Sequence, residues 1–414
     1  MNQSLLKRLL PLYFVIFLGF FGYSLMITIF TPMLIHGNQA ILPSHFPQSL
    51  RVIFLGVTLS VYPLGQFLGA PVFGALSDHF GRKRLLVTSL IAATVFYALI
   101  SFSLFFGNLF LVILFAFLAG LSEANISIAQ GAIADLTTEK NRGRFFGYIY
   151  TSVSLAYIVG PLLGGKLADK QLVSWFSYST PFFATTLLLL INLLWTLLAF
   201  KETHSKDYST ERISYFAAFT NIFSIFTFKK IRIYYLSNFL IYLAIFGFFR
   251  CYPMYLTSEY GMKVNELSHF IAWVALPIVL TNLWLTGFLS RHISPRTATI
   301  IAAFLMAIFM IVIVIPKSKD ALWVTLFLTS SALAICLPSC ATLLSTAVDK
   351  RIQGKVMGNN QSMQVAAESL SAILSGFIAT IIIKLPLILW GVVAVLAALT
   401  LIVFTKKTLH SQEM

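Results

Sequence analysis

Charge is what this chain has least of. Only 10% of its 414 residues are Asp, Glu, Lys or Arg, against roughly 25% in an ordinary globular protein. A soluble domain leaves much of its surface in water, and a chain that is 58% hydrophobic with so few charges cannot cover that surface. The shortage excludes a soluble enzyme and a disordered chain. Cysteine is equally sparse: Cys251, Cys336 and Cys340 all lie in apolar segments, which excludes a disulfide scaffold and leaves them as small packing residues. No P-loop pattern is present, so no ATP site is read. The seven histidines show no metal-ligand spacing, and neither a metal nor a cofactor is expected. His36 and His45, in the first outer loop, could at most sense pH.

What is present is long apolar sequence, with a mean hydropathy of +0.87. A membrane-crossing helix takes about 20 mostly apolar residues. Turn signals and charges divide the chain into twelve such spans: 11–35, 51–76, 85–106, 109–134, 144–168, 178–199, 230–257, 267–289, 296–315, 320–347, 355–383 and 386–405. Span 1 follows Lys7 and Arg8 as a secretory signal would, but its apolar run is too long and Gly37-Asn38-Gln39 is a poor cleavage site, so it reads as a helix.

The net charge of +15 would suggest nucleic acid in a soluble protein. Mapped onto the loops it becomes an orientation code. With the N-terminus in the cytoplasm, 21 of the 29 Lys and Arg residues fall inside, seven outside, and Arg250 within a span. The expectation is a multi-pass inner-membrane protein with both termini cytoplasmic, in contact with lipid and not with nucleic acid, and monomeric.

The longest polar stretch separates spans 6 and 7, giving segments 1–200, 201–229 and 230–414. Within it Phe216, Phe219, Phe223 and Phe226 fall at helical spacing; a short helix on the membrane surface and a plain tether both fit. The two large segments echo each other. An offset of 211 aligns Gly143 with Gly354, Gly147 with Gly358 and Gly165 with Gly376, and GALSDHFGRKR after span 2 returns as GFLSRHISPRT after span 8. Parallel repeats of six helices imply a substrate path near the bilayer midplane.

The run Gly74-Ala-Leu-Ser-Asp78-His-Phe-Gly81-Arg82-Lys83-Arg84 resembles the loop between helices 2 and 3 of the major facilitator superfamily. The resemblance covers essentially the whole chain. It implies an all-α membrane protein of twelve helices in two six-helix bundles, and a cytoplasmic latch at Gly74, Asp78, Gly81, Arg82 and Lys83. Physically, Gly74 would let span 2 approach a neighbour, and Asp78 would suit the N-terminus of span 11. In the second half Arg291 replaces the aspartate and Ser294 the glycine, so the latch should be one-sided. In span 5, Gly147, Ala156, Gly160-Pro161 and Gly164-Gly165 resemble the motif of the family's antiporters, with Ala156 in place of one glycine. It favours efflux by exchange. The arginine that drug exporters usually carry early in helix 4 is missing; Ala116 stands there.

Charges inside the membrane are costly and read as functional. Glu123 and Glu368 lie near the middle of spans 4 and 11, and Arg250 nearer the outer end of span 7. Gln361, Gln364, Glu368, Ser371 and Ser375 form one polar stripe on span 11; Glu123, Ser127 and Gln130 form another on span 4. Asn238 and Tyr242 on span 7, and Tyr62 and Gln66 on span 2, add further polar groups, whereas spans 3, 6, 9 and 12 have almost no ionisable residues and read as peripheral. Glu368 ranks first and Glu123 second as proton or cation sites. The competing reading pairs Arg250 with one glutamate to lock the halves. Tyr23, Tyr157, Tyr242, Trp273 and Trp284 could line a pocket for a flat or cationic ligand, or serve as packing and interfacial residues. The leading expectation is a proton-coupled exporter of amphipathic small molecules, resembling the drug:proton antiporter branch that includes tetracycline-type efflux proteins. The alternatives are an importer of a nutrient, siderophore or vitamin on the same fold, and a membrane receptor or scaffold.

Overall fold

The structure, a computed structural model, describes residues 3–35, 41–43, 45–123, 125–137, 139–203, 231–285, 288, 289, 292–348 and 350–410. Some side chains within the helices, those of Asp78, Lys140 and 351–355 among them, lie outside that description, as do the segment 204–230 with its phenylalanines, His36 and Arg291.

Every regular element among the described residues is a helix. They are α1 (Gln3–Ile35), α2 (Gln48–Phe80), α3 (Arg82–Phe105), α4 (Leu109–Ser122), α5 (Asn125–Asp135), α6 (Glu139–Leu167), α7 (Thr180–Ala199), α8 (Arg232–Tyr260), α9 (Val264–Trp273), α10 (Ala275–Leu280), α11 (Pro295–Val312), α12 (Lys319–Thr346), α13 (Lys350–Ala379) and α14 (Leu385–His410). Ten helical stretches among the described residues are long and apolar enough to cross a membrane. With α6 and the shorter apolar run through α9 and α10 they make the twelve spans. Helix is the natural outcome in lipid, because it satisfies backbone polar groups within one segment. The ends are set by ordinary capping. Asn108, Ser294 and Ser318 accept the backbone N–H three residues on at 3.1, 3.2 and 3.3 Å, and α8 stops at Gly261 with φ of 62°.

Two spans are not the continuous helices expected of them. Span 4 breaks at Glu123, between α4 and α5. Span 8 breaks between Trp273 and Ala275 and contains a π-helical turn, Thr281–Leu285. Such breaks are tolerated at membrane depth only where protein surrounds them or they line a cavity.

The chain forms two compact units. The first comprises α1, α2 from Val57 onward, α3 to α7 and residues 262–271; the second comprises residues 47–56, α8 and everything described from Ala272. Within the first, α1 packs on α5, α6 and α7, and α3 on α4, α5 and α7. Within the second, α8 packs on α12, α13 and α14, and α11 on α12 and α14. Counted as spans, the neighbours of spans 1 and 3 recur six places on around spans 7 and 9, a packing signature of the internal repeat. Repeat-related Gly165 and Gly376 both sit at close helix contacts. A Cβ on Gly165 would lie 2.7 Å from Cβ of Ser268, and one on Gly376 would lie 3.0 Å from Cα of Gly56.

Candidate functional site

In the first unit the polar centre is Glu123, only 2% exposed. Its Oε2 accepts a hydrogen bond from the hydroxyl of Tyr62, and Tyr62 in turn accepts one from Tyr97 at 3.4 Å. The other carboxyl oxygen, Oε1, is buried without a hydrogen-bond partner among the described residues. It rests against Gly19 of α1, where a Cβ would collide with it, and a Cβ there would also come within 2.8 Å of Ile126. Among the described residues no cationic side chain pairs with Glu123. Ala116, where exporters usually place an arginine, is fully buried on the preceding helix.

In the second unit Arg250 donates from Nη2 to Oε1 of Glu368 at 2.7 Å. Both are buried, at 2% and 8% exposed, so one of the two expected proton sites is already neutralised by a cation. The pair joins α8 to α13 inside a single unit. That corrects the reading in which Arg250 locks the two halves together. Deeper along the same stripe, Ser375 accepts from the indole of Trp390 at 3.1 Å and Ser371 bonds back to its own helix. The span 11 stripe is therefore divided: Glu368, Ser371 and Ser375 are buried in the bundle, Gln364 is half-buried, and Gln361 is exposed.

Asn238 donates to the carbonyl of Cys340 at 3.0 Å, and the hydroxyl of Tyr242 meets the amide of Asn360, 2.9 Å from Nδ2 and 3.1 Å from Oδ1. Asn238 and Tyr242 are thus held within the bundle. Trp273 donates to the carbonyl of Trp323 at 3.1 Å, with the rings edge to face. Gln66, Gln130 and Tyr157 are half-buried, whereas Trp284, in the π-helical turn, is 74% exposed among the described residues.

At the latch, Gly81 has φ of 98° and ψ of 143°, backbone that is essentially glycine-only. Its turn presents the first N–H groups of α3 to Glu202, whose Oε1 accepts from Arg82 N at 2.9 Å and Oε2 from Lys83 N at 3.0 Å. The guanidinium of Arg82 reaches Asp135 at the end of α5 at 3.2 Å and Ser77 at 2.7 Å; Lys83 donates to the carbonyl of Leu197 at 3.0 Å. Among the described residues nothing lies within 4 Å of where a Cβ on Gly74 would be. The side chain of Asp78 lies outside the described residues. Gly81→Ala is expected to cost about 1–3 kcal/mol through backbone strain. Thermal unfolding of the purified protein checks this, and an unchanged melting temperature would mean the loop relaxes freely.

The small residues of α6 face α1 and α9. A Cβ on Gly160 would strike Ser24 Oγ, one on Gly164 would strike Leu25, and Gly165 faces Ser268. Ser24 also bonds the carbonyl of Ala156 at 3.3 Å. Pro161 sits inside α6 without ending it. The surroundings of Gly147 lie outside the description.

Sequence profiles give the same family. The profile described as Major Facilitator Superfamily matches residues 9–249 and 234–413. The chain belongs to the major facilitator superfamily. Its fold is that superfamily's: all-α, membrane-spanning, with twelve helices in two six-helix bundles. A tetracycline resistance protein, class H, from Pasteurella multocida is 28% identical over 353 residues, covering 84% of this chain and 85% of the relative. Multidrug resistance protein MdtG from Proteus mirabilis (strain HI4320) is 25% identical over 381 residues, covering 91% and 90%. Among solved structures, a D-xylose-proton symporter superposes with a TM-score of 0.74 at 15% identity, covering 95% of this chain and 97% of that one, which bears on fold alone.

Charge within apolar spans located Glu123, Arg250 and Glu368, and the superfamily resemblance located Arg82, but several of the groups around them went unmarked. Tyr97 lies on α3, a span read as peripheral, and nothing in its apolar neighbours marks it. Asn192 on α7, also read as peripheral, is fully buried with neither amide atom bonded among the described residues. Asp135, Glu202 and Asn360 were equally unmarked.

Proposed function

We propose that this superfamily member is a proton-driven exporter of drug-like amphipathic molecules, working by alternating access. Two lines support the reading: its relatives include proteins named for tetracycline and multidrug resistance, and α6 carries the antiporter-like glycine pattern. The observation that carries it is Glu123, a buried carboxylate with no described cationic partner. Such a group is poorly stable as an ion in a dry site and gains from taking up a proton. Glu123 is the proton-carrying group in this reading. Arg250 and Glu368 act as a buried pair that supports the second bundle. The accessible polar groups Gln66, Gln130, Gln361 and Gln364, with Tyr157, contact substrate, whereas Asn238, Tyr242 and Trp273 shape the bundle behind them. Residues 1–200 and 230–414 are the two working halves, joined by 201–229. The protein acts as a monomer in the inner membrane, in contact with lipid and not with nucleic acid, with both termini in the cytoplasm. It has no catalytic role.

A second reading, import on the same fold, is favoured by one observation: Ala116 stands where an exporter's arginine would be. Inverted membrane vesicles separate the two. With an acidic lumen, tetracycline as the probe is expected to accumulate inside, and collapsing the pH gradient is expected to abolish accumulation. Gradient-driven loss of tetracycline from the lumen would sink the export reading.

A further inference from the structure

Two helices are cut away around one hydroxyl-to-carboxyl line. Gly19 of α1 makes room for the carboxyl of Glu123, and Gly22, one turn on, makes room for the ring and hydroxyl of Tyr97. Gly120 of α4 lets the backbone of Tyr62 come against it: a Cβ there would lie 2.8 Å from the carbonyl carbon of Tyr62 and 3.0 Å from its Cα. Tyr62 is 2% exposed and Tyr97 1%, and the ring of Tyr23 stacks on that of Tyr62 with centroids 5.1 Å apart and planes 16° from parallel. Buried tyrosines ordinarily find a polar partner, but these two need not have found each other and a carboxylate. Their hydroxyls run in one direction, Tyr97 to Tyr62 to Glu123 Oε2.

We propose that Tyr62 is the positioning residue of the proton site: its hydroxyl fixes the Glu123 carboxyl and favours its ionised form, with Tyr97 acting through Tyr62. The proposal rests on Glu123 being the proton-carrying group. A phenol can donate to a carboxylate whether or not a second oxygen is satisfied, and a hydrogen bond to the charged form favours that form. Here it is the only described donor. Tyr97 donates to the oxygen of Tyr62 and so leaves the proton of Tyr62 directed at Glu123. The titratable groups facing the carboxyl are Tyr62 from α2 and, through it, Tyr97 from α3 and Tyr23 from α1; the contact described from α1 itself is Gly19. On proton release the carboxyl passes its proton to water and keeps the Tyr62 bond, so the discharged site remains structured. A purely structural tyrosine would hold the helices together without affecting when Glu123 ionises.

Infrared titration of the purified full-length protein tests this without any substrate. The protonated-carboxyl band that vanishes in Glu123→Gln is followed against pH in wild type and in Tyr62→Phe, which keeps the ring and its stacking on Tyr23. Removing the bond is expected to move the midpoint to higher pH by about one to two units, the equivalent of one hydrogen bond to a charged group. Tyr97→Phe should move it the same way by less, and it carries the same test if Tyr62→Phe does not fold. A midpoint unmoved in the folded variants overturns the role of Tyr62. A Glu123→Gln protein that retains the full titrating band would instead overturn the role of Glu123 itself.

Discussion

Arg250→Met is expected to leave most of the protein unable to reach a stable fold, a loss of about 3–5 kcal/mol. The cause is not the missing cation but the charge it leaves behind. Glu368 sits 8% exposed among α13's packing neighbours, 2.7 Å from Arg250 Nη2. Without the guanidinium, its carboxylate is an uncompensated charge in a bundle surrounded by lipid. Glu368→Gln alone should be damaging for the mirrored reason, since Arg250 is 2% exposed and stays charged. The double variant Arg250→Met/Glu368→Leu is expected to recover most of the stability, because neutral side chains of similar size satisfy a buried site about as well as an ion pair does. Thermal unfolding of the four proteins closes the cycle and gives the coupling between the two sites. If Arg250→Met melts at the wild-type temperature, the pair is not structural, and Glu368 returns as a proton-carrying group.

That cycle bears on a ranking the sequence could not settle. Twelve spans were legible because lipid demands long apolar segments and punishes charge. The echo at offset 211 was also legible, and it pointed to Gly165 and Gly376, both of which lie at close helix contacts. Partner choice was not legible. Which glutamate Arg250 meets depends on α8 packing along α13, a tertiary fact that the spacing within either helix does not encode. The break at Glu123 is similar: Ser122-Glu123-Ala124-Asn125 contains neither Gly nor Pro, so no local signal marks the end of α4. Tyr97 shows the same limit from the other side. Counting ionisable residues made α3 peripheral, but one hydroxyl set against Gly22 is enough to bring that helix into the site.

Glu123→Gln should separate transport from folding where Arg250→Met cannot. The amide keeps the size of the acid and can still accept the hydrogen bond from Tyr62 through its carbonyl oxygen. Its NH2 would occupy the niche beside Gly19 now filled by Oε1, an atom without a described partner, so no existing bond is lost. Nor is any cation orphaned, because none among the described residues pairs with Glu123. Thermal stability is therefore expected to stay at the wild-type level, and binding of tetracycline as the probe should persist. What disappears is the ability to exchange a proton. Accumulation of tetracycline in inverted vesicles driven by a pH gradient should fall to background, while passive equilibration of the same probe continues. Gly19→Ala offers a steric counterpart: its new methyl would occupy the position of the Glu123 carboxyl, so it should impair both coupling and stability. Gradient-driven accumulation at the wild-type rate in Glu123→Gln would remove this carboxyl from the coupling step, whatever the direction of transport.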